Sequence, residues 1–244
     1  MSYIILLAQL LVFGSLNHSE NYLYPGFDYT KQLYHECGLE PVVSYDVFKL
    51  AITGMARIDN LKNRGIITIV DFSKPSTRER LYVIDLEHKK LLYKSLVAHG
   101  KNSGGNMATS FSNNPRSLKS CLGFFITAEI YNGKYGYSLR LDGLEPGFND
   151  NARRRSIVVH GADFVSFEVA NDSGLLGRSY GCPALPENKT KPIIDKISRG
   201  SCLFIYAKDS KYLKNSKILN EQLRLPVTTI STQEETTVMP RLGS

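Results

Sequence analysis

The feature that most restricts the fold of this chain is a succession of short apolar, β-branched runs between Gly65 and Ala207. Runs of this length and composition, separated by turn residues, are typical of strands. Few helical patterns interrupt them, so the sequence favours a mainly β domain over a doubly wound α/β fold. The predicted strands, about seven in number, span 66–72, 81–86, 90–98, 122–130, 135–141, 157–160 and 201–207.

A helical pattern precedes these strands. Ser44 is a predicted helix N-cap, Asp46 falls in the first turn, and apolar residues follow at helical spacing. We therefore predict a helical N-terminal segment over residues 20–60 and a separate β-rich domain over residues 61–207.

The last part of the chain carries weaker signals. Pro192 is predicted to take the first position of a short helix that stops at Gly200. Residues 208–244 are polar, and we predict a C-terminal tail there, with a surface helix over residues 208–222.

An apolar stretch lies at the N-terminus, where residues 4–13 read I-I-L-L-A-Q-L-L-V-F. Its length fits the apolar region of a signal peptide and is short for a membrane span of about 20 residues. We predict a signal peptide over residues 1–19, export to the periplasm or cell envelope, and no membrane span after cleavage. Because no Lys or Arg precedes the stretch, an N-terminal core helix or strand is the alternative.

The net charge of +7 comes from basic residues scattered along the chain. Without a block of like charges, the sequence does not predict a nucleic-acid-binding stripe. A solvated surface and attraction to an anionic cell-wall partner are the two interpretations of this charge. We expect a monomer that needs no cofactor.

The four cysteines lack the C-x-x-C spacing of zinc knuckles and thioredoxin motifs. If Cys182 is a working thiol, at most one intramolecular disulfide forms among Cys37, Cys121 and Cys202. A zinc site made of His99, His160 and Cys182 is an alternative that no carboxylate or paired spacing supports.

Cys182 and His160 form the candidate catalytic pair. His160 ends the strand-like run S-I-V-V-H-G at 156–161, and Cys182 lies in the turn G-R-S-Y-G-C-P-A at 177–184. A cysteine attacks acyl groups as its thiolate, and a neighbouring histidine accepts the proton and returns it to the leaving amine. A buried structural cysteine and a locally hydrogen-bonded histidine are the non-catalytic alternatives.

Residues near the pair are assigned supporting roles. Backbone N–H groups at Gly181 and Cys182 are expected to bind an oxyanion, and Ser179 to orient the histidine or donate to the substrate. Arg178 suits a substrate carboxylate. His99, in a V-A-H-G segment that echoes V-V-H-G, is expected either to line the same groove or to be a structural histidine at a strand end.

These segments together resemble the murein L,D-transpeptidase catalytic domain family, of the YkuD type. The pattern of that family is a His-Gly pair, a spacer, and Ser/Thr-x-Gly-Cys, which His160–Gly161 and Ser179–Cys182 match. The resemblance covers about residues 65–207, with extension over the preceding helices as the alternative, and the further segments that match in order are 71–80, 97–104, 136–147 and 157–162.

The resemblance implies a sandwich of two mixed β-sheets with a few short helices. It also implies a transferase of cell-wall biogenesis, in which Cys182 attacks the L,D peptide bond of a peptidoglycan tetrapeptide stem and D-Ala leaves. An amine of a second stem then resolves the thioacyl enzyme and forms a 3→3 crosslink. An L,D-carboxypeptidase, with water as the acceptor, and a non-catalytic cell-wall-binding module are the alternatives.

The chain departs from the commoner pattern of this family on both sides of the Gly-Cys pair. Tyr180 stands where the pattern has a histidine, and residues 183–185 (P-A-L) stand where it has an asparagine and an arginine. These departures leave the catalytic pair intact but prevent any transfer of acceptor choice. The residues assigned to substrate binding are Arg178, Tyr180, His99 and Gly161.

Overall fold

The computed structural model describes residues 28–220, which contain eight strands and six α-helices. The predicted signal peptide over 1–19 lies outside the described residues, as do positions 20–27 of the predicted helical segment and 221–244 of the predicted tail. No helix within 28–220 is long and apolar enough to span a membrane.

The elements follow one another as helices, strands and then a mixed second half. Their bounds are α1 Tyr29–Glu36, α2 Tyr45–Ala56, β1 Asn63–Asp71, β2 Leu81–Asp85, β3 Lys90–Ser95, β4 Gly123–Gly133, β5 Gly136–Gly143, β6 Val158–Gly161, α3 Phe167–Ser173, β7 Ala184–Leu185, α4 Glu187–Ile197, β8 Ser201–Tyr206, α5 Ser210–Asn215 and α6 Lys217–Asn220.

All eight strands belong to one mixed sheet, in the order β3-β2-β1-β8-β4-β5-β6-β7. The pairs β1–β8 and β6–β7 are parallel, and the other neighbours are antiparallel. Just after β3, the Ala98 N–H donates to the Ala184 carbonyl of β7 at 2.8 Å, so the two edges of the sheet nearly meet. The mainly β prediction is confirmed, whereas one nearly closed sheet stands where the resemblance implied two.

The helix that the sequence predicts after Ser44 is present as α2. The Ser44 hydroxyl accepts a hydrogen bond from the Val47 N–H, and the apolar face of the helix is buried. A Cβ atom on Gly54 would lie 2.0 Å from the Phe124 ring, so this glycine lets the helix rest directly on β4. The N-terminal helices therefore share the hydrophobic core of the sheet.

Helix α4 corrects the position predicted for Pro192. The helix begins at Glu187 rather than at the proline, and Pro192 lies in its interior. Proline lacks the N–H that would bond to the carbonyl of Asn188. Both residues are exposed, so water can bind that carbonyl, while Ile193, Ile194 and Ile197 remain buried on the opposite face.

The helix predicted at the start of the polar tail is present as two short helices, and these pack against the domain instead of standing free. Residues 210–220 form α5 and α6, and the Tyr212 side chain is fully buried. Its hydroxyl donates to the Glu145 carboxylate at 3.0 Å, and the Ser216 hydroxyl and the Phe124 N–H donate to the same carboxylate. Burial raises the pKa of Glu145, so these three donors are what stabilise its ionised form.

We expect Glu145→Ala to lower the free energy of unfolding by about 2–4 kcal/mol, because it leaves the Phe124 N–H and two hydroxyls without their acceptor. Urea denaturation followed by circular dichroism measures this change. The control is Glu168→Ala, at an exposed position in the first turn of α3. Equal midpoints for the two variants would contradict a structural role for Glu145.

Candidate active site

The register of β6 and β7 brings the candidate pair onto neighbouring segments. Ala184 lies opposite His160 in the parallel ladder, and Cys182 precedes Ala184 by two residues. The Val158 N–H donates to Cys182 Sγ at 3.5 Å, and the thiol donates to the Ser156 carbonyl at 3.5 Å. In the part of the chain that the structure describes, the side chains of Cys182 and His160 are not hydrogen-bonded to each other.

The surroundings of the Cys182 thiol disfavour its ionisation. Its side chain is buried, with 7% of the residue exposed. Burial raises the pKa of the thiol to about 11, while the Val158 N–H and the Arg155 guanidinium act in the opposite direction. At neutral pH the thiol therefore needs a base in order to react.

His160 is in the form that a base requires. Its Nδ1–H donates to the Gly161 carbonyl at 2.8 Å, which leaves the lone pair on Nε2. Burial lowers the pKa of His160 below its usual value, so the ring is neutral near pH 7. The Tyr135 ring, from the β4–β5 turn, stacks on the imidazole at a centroid distance of 4.5 Å and covers it.

Ser179 shapes the cysteine turn, defined as residues 178–182. Its hydroxyl accepts the Gly181 N–H at 3.1 Å and donates to the Cys182 carbonyl at 2.6 Å. The hydroxyl is thus engaged within the turn, and the expected contact with His160 is not formed.

The same bonds decide which N–H group of the turn is available for an oxyanion. The Gly181 N–H is occupied by Ser179, whereas the Cys182 N–H donates to no acceptor within the described part of the chain. Gly181 has a φ of +127°, and a Cβ there would lie 2.8 Å from the Lys119 carbonyl, so only glycine fits at this position.

His99 has the structural position that was one of the two expectations for it. Its side chain is fully buried, Nδ1 accepts from Arg80 Nη2 at 2.8 Å, and Nε2–H donates to the Gly104 carbonyl at 3.4 Å. Burial and the adjacent guanidinium lower its pKa to about 4. The His99 carbonyl accepts a hydrogen bond from the Ser179 N–H, so the backbone of this histidine helps to hold the cysteine turn in place.

The remaining predicted substrate contacts lie at the surface. Arg178 and Tyr180 are exposed, and Arg178 Nη1 donates to the Gly104 carbonyl at 3.2 Å. Gly161 lines a cavity of about 190 Å³ beside His160, and the other lining residues are Tyr135, Tyr137, Glu187, Thr190 and Lys191. The structure therefore brings Gly161 and the turn close to the candidate pair, whereas the His99 side chain is buried and engaged with Arg80.

The other two interpretations of the cysteines can also be compared with the structure. All four cysteines are free and buried, so the single disulfide allowed by the sequence does not form. Within residues 28–220, no group of three or more His, Cys, Asp or Glu side chains is arranged to hold a metal ion, and His99 is engaged with Arg80 instead.

A family model for the L,D-transpeptidase catalytic domain matches residues 39–206. The chain belongs to this family. The match confirms the resemblance and begins earlier than the sequence motifs did, since it includes α2. It supports assigning the chain to an enzyme class, the L,D-transpeptidases.

Solved structures similar to this L,D-transpeptidase domain share little sequence with it. An L,D-transpeptidase from Mycobacterium smegmatis is 14% identical, with 59% of each chain covered and a TM-score of 0.38. The helical cell shape determining protein Pgp2 from Campylobacter jejuni is 14% identical, with 65% of this chain and 56% of that chain covered and a TM-score of 0.41. The chain spans about three fifths of the length of the first of these structures. No curated protein sequence matches the chain.

Two residues of the candidate site in this L,D-transpeptidase domain were not predicted from sequence. Tyr135 lies in the predicted strand 135–141, where the pattern did not show that its ring covers His160. Arg155 belongs to an R-R-R run that looks like ordinary surface charge. In the structure its guanidinium lies beside Gly181 of the cysteine turn, which is distant from it in sequence. The only signal was the position of the run just before β6.

The buried His99 predicts a pH dependence of stability for this domain. Its pKa falls from 6.5 in the unfolded chain to about 4 in the folded state. Its contribution is therefore fully present above pH 6.5 and is lost as the pH falls toward 4, up to about 3 kcal/mol. We expect His99→Gln to flatten the curve of unfolding free energy between these pH values, measured by urea titration. His88→Gln, at an exposed histidine, is the control and should keep the slope.

Proposed function

We propose that the chain is a cysteine-dependent acyltransferase that acts on the tetrapeptide stems of peptidoglycan. The observation that carries the proposal is the pairing of β6 with β7, which sets His160 beside the cysteine turn inside an L,D-transpeptidase catalytic domain. Because peptidoglycan lies outside the cytoplasmic membrane, the proposal includes export of the protein.

The proposed reaction begins with proton transfer from the Cys182 thiol to His160 Nε2. The thiolate attacks the carbonyl carbon of the L,D peptide bond, and the free Cys182 N–H stabilises the developing oxyanion. The protonated His160 then gives its proton to the leaving amine, and D-Ala departs. A thioester between the stem and Cys182 remains.

In the second half of the reaction, His160 accepts a proton from the attacking amine of another stem. The C–S bond breaks, a 3→3 peptide bond forms, and the thiol is regenerated. Water in place of the amine yields a tripeptide, which is the carboxypeptidase alternative.

In the proposed reaction, the substrate has to displace the Tyr135 ring that covers His160. Only 2% of His160 and 7% of Cys182 are exposed, and the Tyr135 ring lies against the imidazole. Displacement of this ring would join the cavity beside Gly161 to the reacting atoms. The exposed Arg178 guanidinium is the proposed partner for a stem carboxylate.

Two of the residues that depart from the commoner family pattern, Ala184 and Leu185, have a structural role here. Ala184 and Leu185 form β7 and are fully buried. Their side chains therefore do not position the substrate, and we assign acceptor contacts to the exposed Tyr180 instead.

Incubation with a disaccharide-tetrapeptide tests the proposal. We expect a whole-protein mass increase that peptide mapping locates to Cys182, and a crosslinked dimer as the product. If tripeptide is the only product, the reaction is hydrolysis and not transpeptidation. If the protein forms no adduct and releases no D-Ala, the enzymatic proposal is contradicted. The remaining alternative is then a non-catalytic cell-wall-binding module.

A further inference from the structure

The guanidinium of Arg155 lies against the cysteine turn. Its Nη2 is 3.3 Å from the position that a Cβ on Gly181 would occupy, one residue before the candidate nucleophile. The same nitrogen donates to the Lys119 carbonyl at 2.5 Å, and that carbonyl is the closest neighbour of the Cβ position. Arg155 is thus part of the surface on which the turn rests.

Arg155 also clamps the loop that supports the turn. Nη1 donates to the Ser112 carbonyl at 2.6 Å, and Nη2 donates to the Ser117 hydroxyl at 3.2 Å. Two residues of this loop, Arg116 and Leu118, have positive φ values of 61° and 56°. Non-glycine residues with such backbone angles persist where the surrounding contacts hold them.

The positive charge of Arg155 has no carboxylate partner. None of the ion pairs within residues 28–220 includes it, and the oxygen atoms that accept its hydrogen bonds belong to two carbonyls and a hydroxyl. Arg153, two residues earlier, is instead paired with both Glu129 and Asp142. A half-buried cation that no acidic side chain neutralises retains its field at nearby groups.

We propose that Arg155 is a positioning residue for the nucleophile: it holds the 112–119 loop under Gly181 and supplies a positive charge beside the Cys182 thiol. The inference rests on the proposed role of Cys182 and extends it to a residue outside the catalytic pair. The guanidinium favours the thiolate over the thiol, and thereby offsets part of the effect of burial.

Other titratable groups lie on the elements packed around Cys182. His160 lies on the neighbouring strand β6, and Cys121, which follows the 112–119 loop, interacts with both Arg155 and Cys182. Lys119 is directed elsewhere, since its ammonium group donates to the Ser110 hydroxyl at 2.7 Å. Removal of the Arg155 charge is therefore expected to raise the pKa of the Cys182 thiol.

The test is the pH dependence of iodoacetamide labelling at Cys182, followed by peptide mass mapping in the folded, full-length protein. We expect Arg155→Met to raise the midpoint by about one pH unit and to slow labelling at pH 7 about tenfold. Arg155→Lys, which keeps the charge, should restore most of the midpoint. Arg154→Met, which removes an exposed neighbouring charge, should match the wild type.

An unchanged midpoint in Arg155→Met would overturn the inference, and so would equal midpoints for the Met and Lys variants. Arg155→Gln is the second neutral variant, which keeps amide donors for the loop if the Met variant does not fold. Labelling uses no substrate, so its result is separate from the proposed function. Failure of the wild type to form an acyl-enzyme would count against the role of Cys182 and not against the midpoint shift.

Discussion

Cys182→Ala is expected to abolish the acyl-enzyme and to lower release of D-Ala by a factor on the order of 10⁴ or more. The variant lacks the atom that forms the thioester, whereas the turn keeps its shape, because Ser179 bonds to the backbone of Gly181 and Cys182 rather than to the thiol. Turnover of a disaccharide-tetrapeptide, followed by chromatography, measures the loss.

Cys121→Ala is the matched control for this variant. Cys121 is also buried, and burial also raises its pKa to about 11, but it lies outside the cysteine turn. We expect this variant to form the acyl-enzyme. Full turnover by Cys182→Ala would disprove the assignment of the nucleophile.

His160→Asn is expected to slow acylation by about 10²–10⁴-fold, the usual contribution of a general base. The asparagine amide can replace Nδ1–H as the donor to the Gly161 carbonyl, so the substitution removes the basic nitrogen and keeps the local bond. Single-turnover acylation, followed by whole-protein mass measurement, gives the rate.

The pH profile distinguishes a base from a structural histidine. Because burial lowers the pKa of His160, the wild type should keep its activity to below pH 6.5 and then lose it as the ring becomes protonated. In His160→Asn, the acidic limb should disappear. The rate should instead rise about tenfold per pH unit toward the pKa of Cys182, near 11. His88→Gln should behave as the wild type, and an unchanged rate in His160→Asn would exclude His160 as the base.

Prediction from sequence succeeded where local patterns decide the structure. The runs that end at Phe72 and His160 became β1 and β6, and Ser44 caps α2, because β-branched periodicity and capping chemistry act over a few residues. The structure also places His160 and Cys182, which are distant in sequence, on neighbouring segments, and their catalytic roles stay a prediction.

The errors arose where contacts between distant segments decide. A strand of two residues, Ala184–Leu185, has no period to detect, yet its bond to Ala98 nearly closes the sheet. The helix predicted after position 208 was expected at the surface, but it packs on the domain because Tyr212 is buried in the core and its hydroxyl donates to Glu145. Neither contact leaves a mark in the local sequence.

The sequence by itself determined that this chain is mainly β, that it carries a histidine at a strand end and a cysteine after a glycine, and which family it resembles. Only the tertiary structure decided the state of the site. Burial raises the pKa of the Cys182 thiol and lowers the pKa of His160, so both groups favour their neutral forms. Tyr135 and Arg155 reach the site from other segments. The physical reason is that solvation and electrostatic fields depend on which segments meet in space, and local patterns do not encode this.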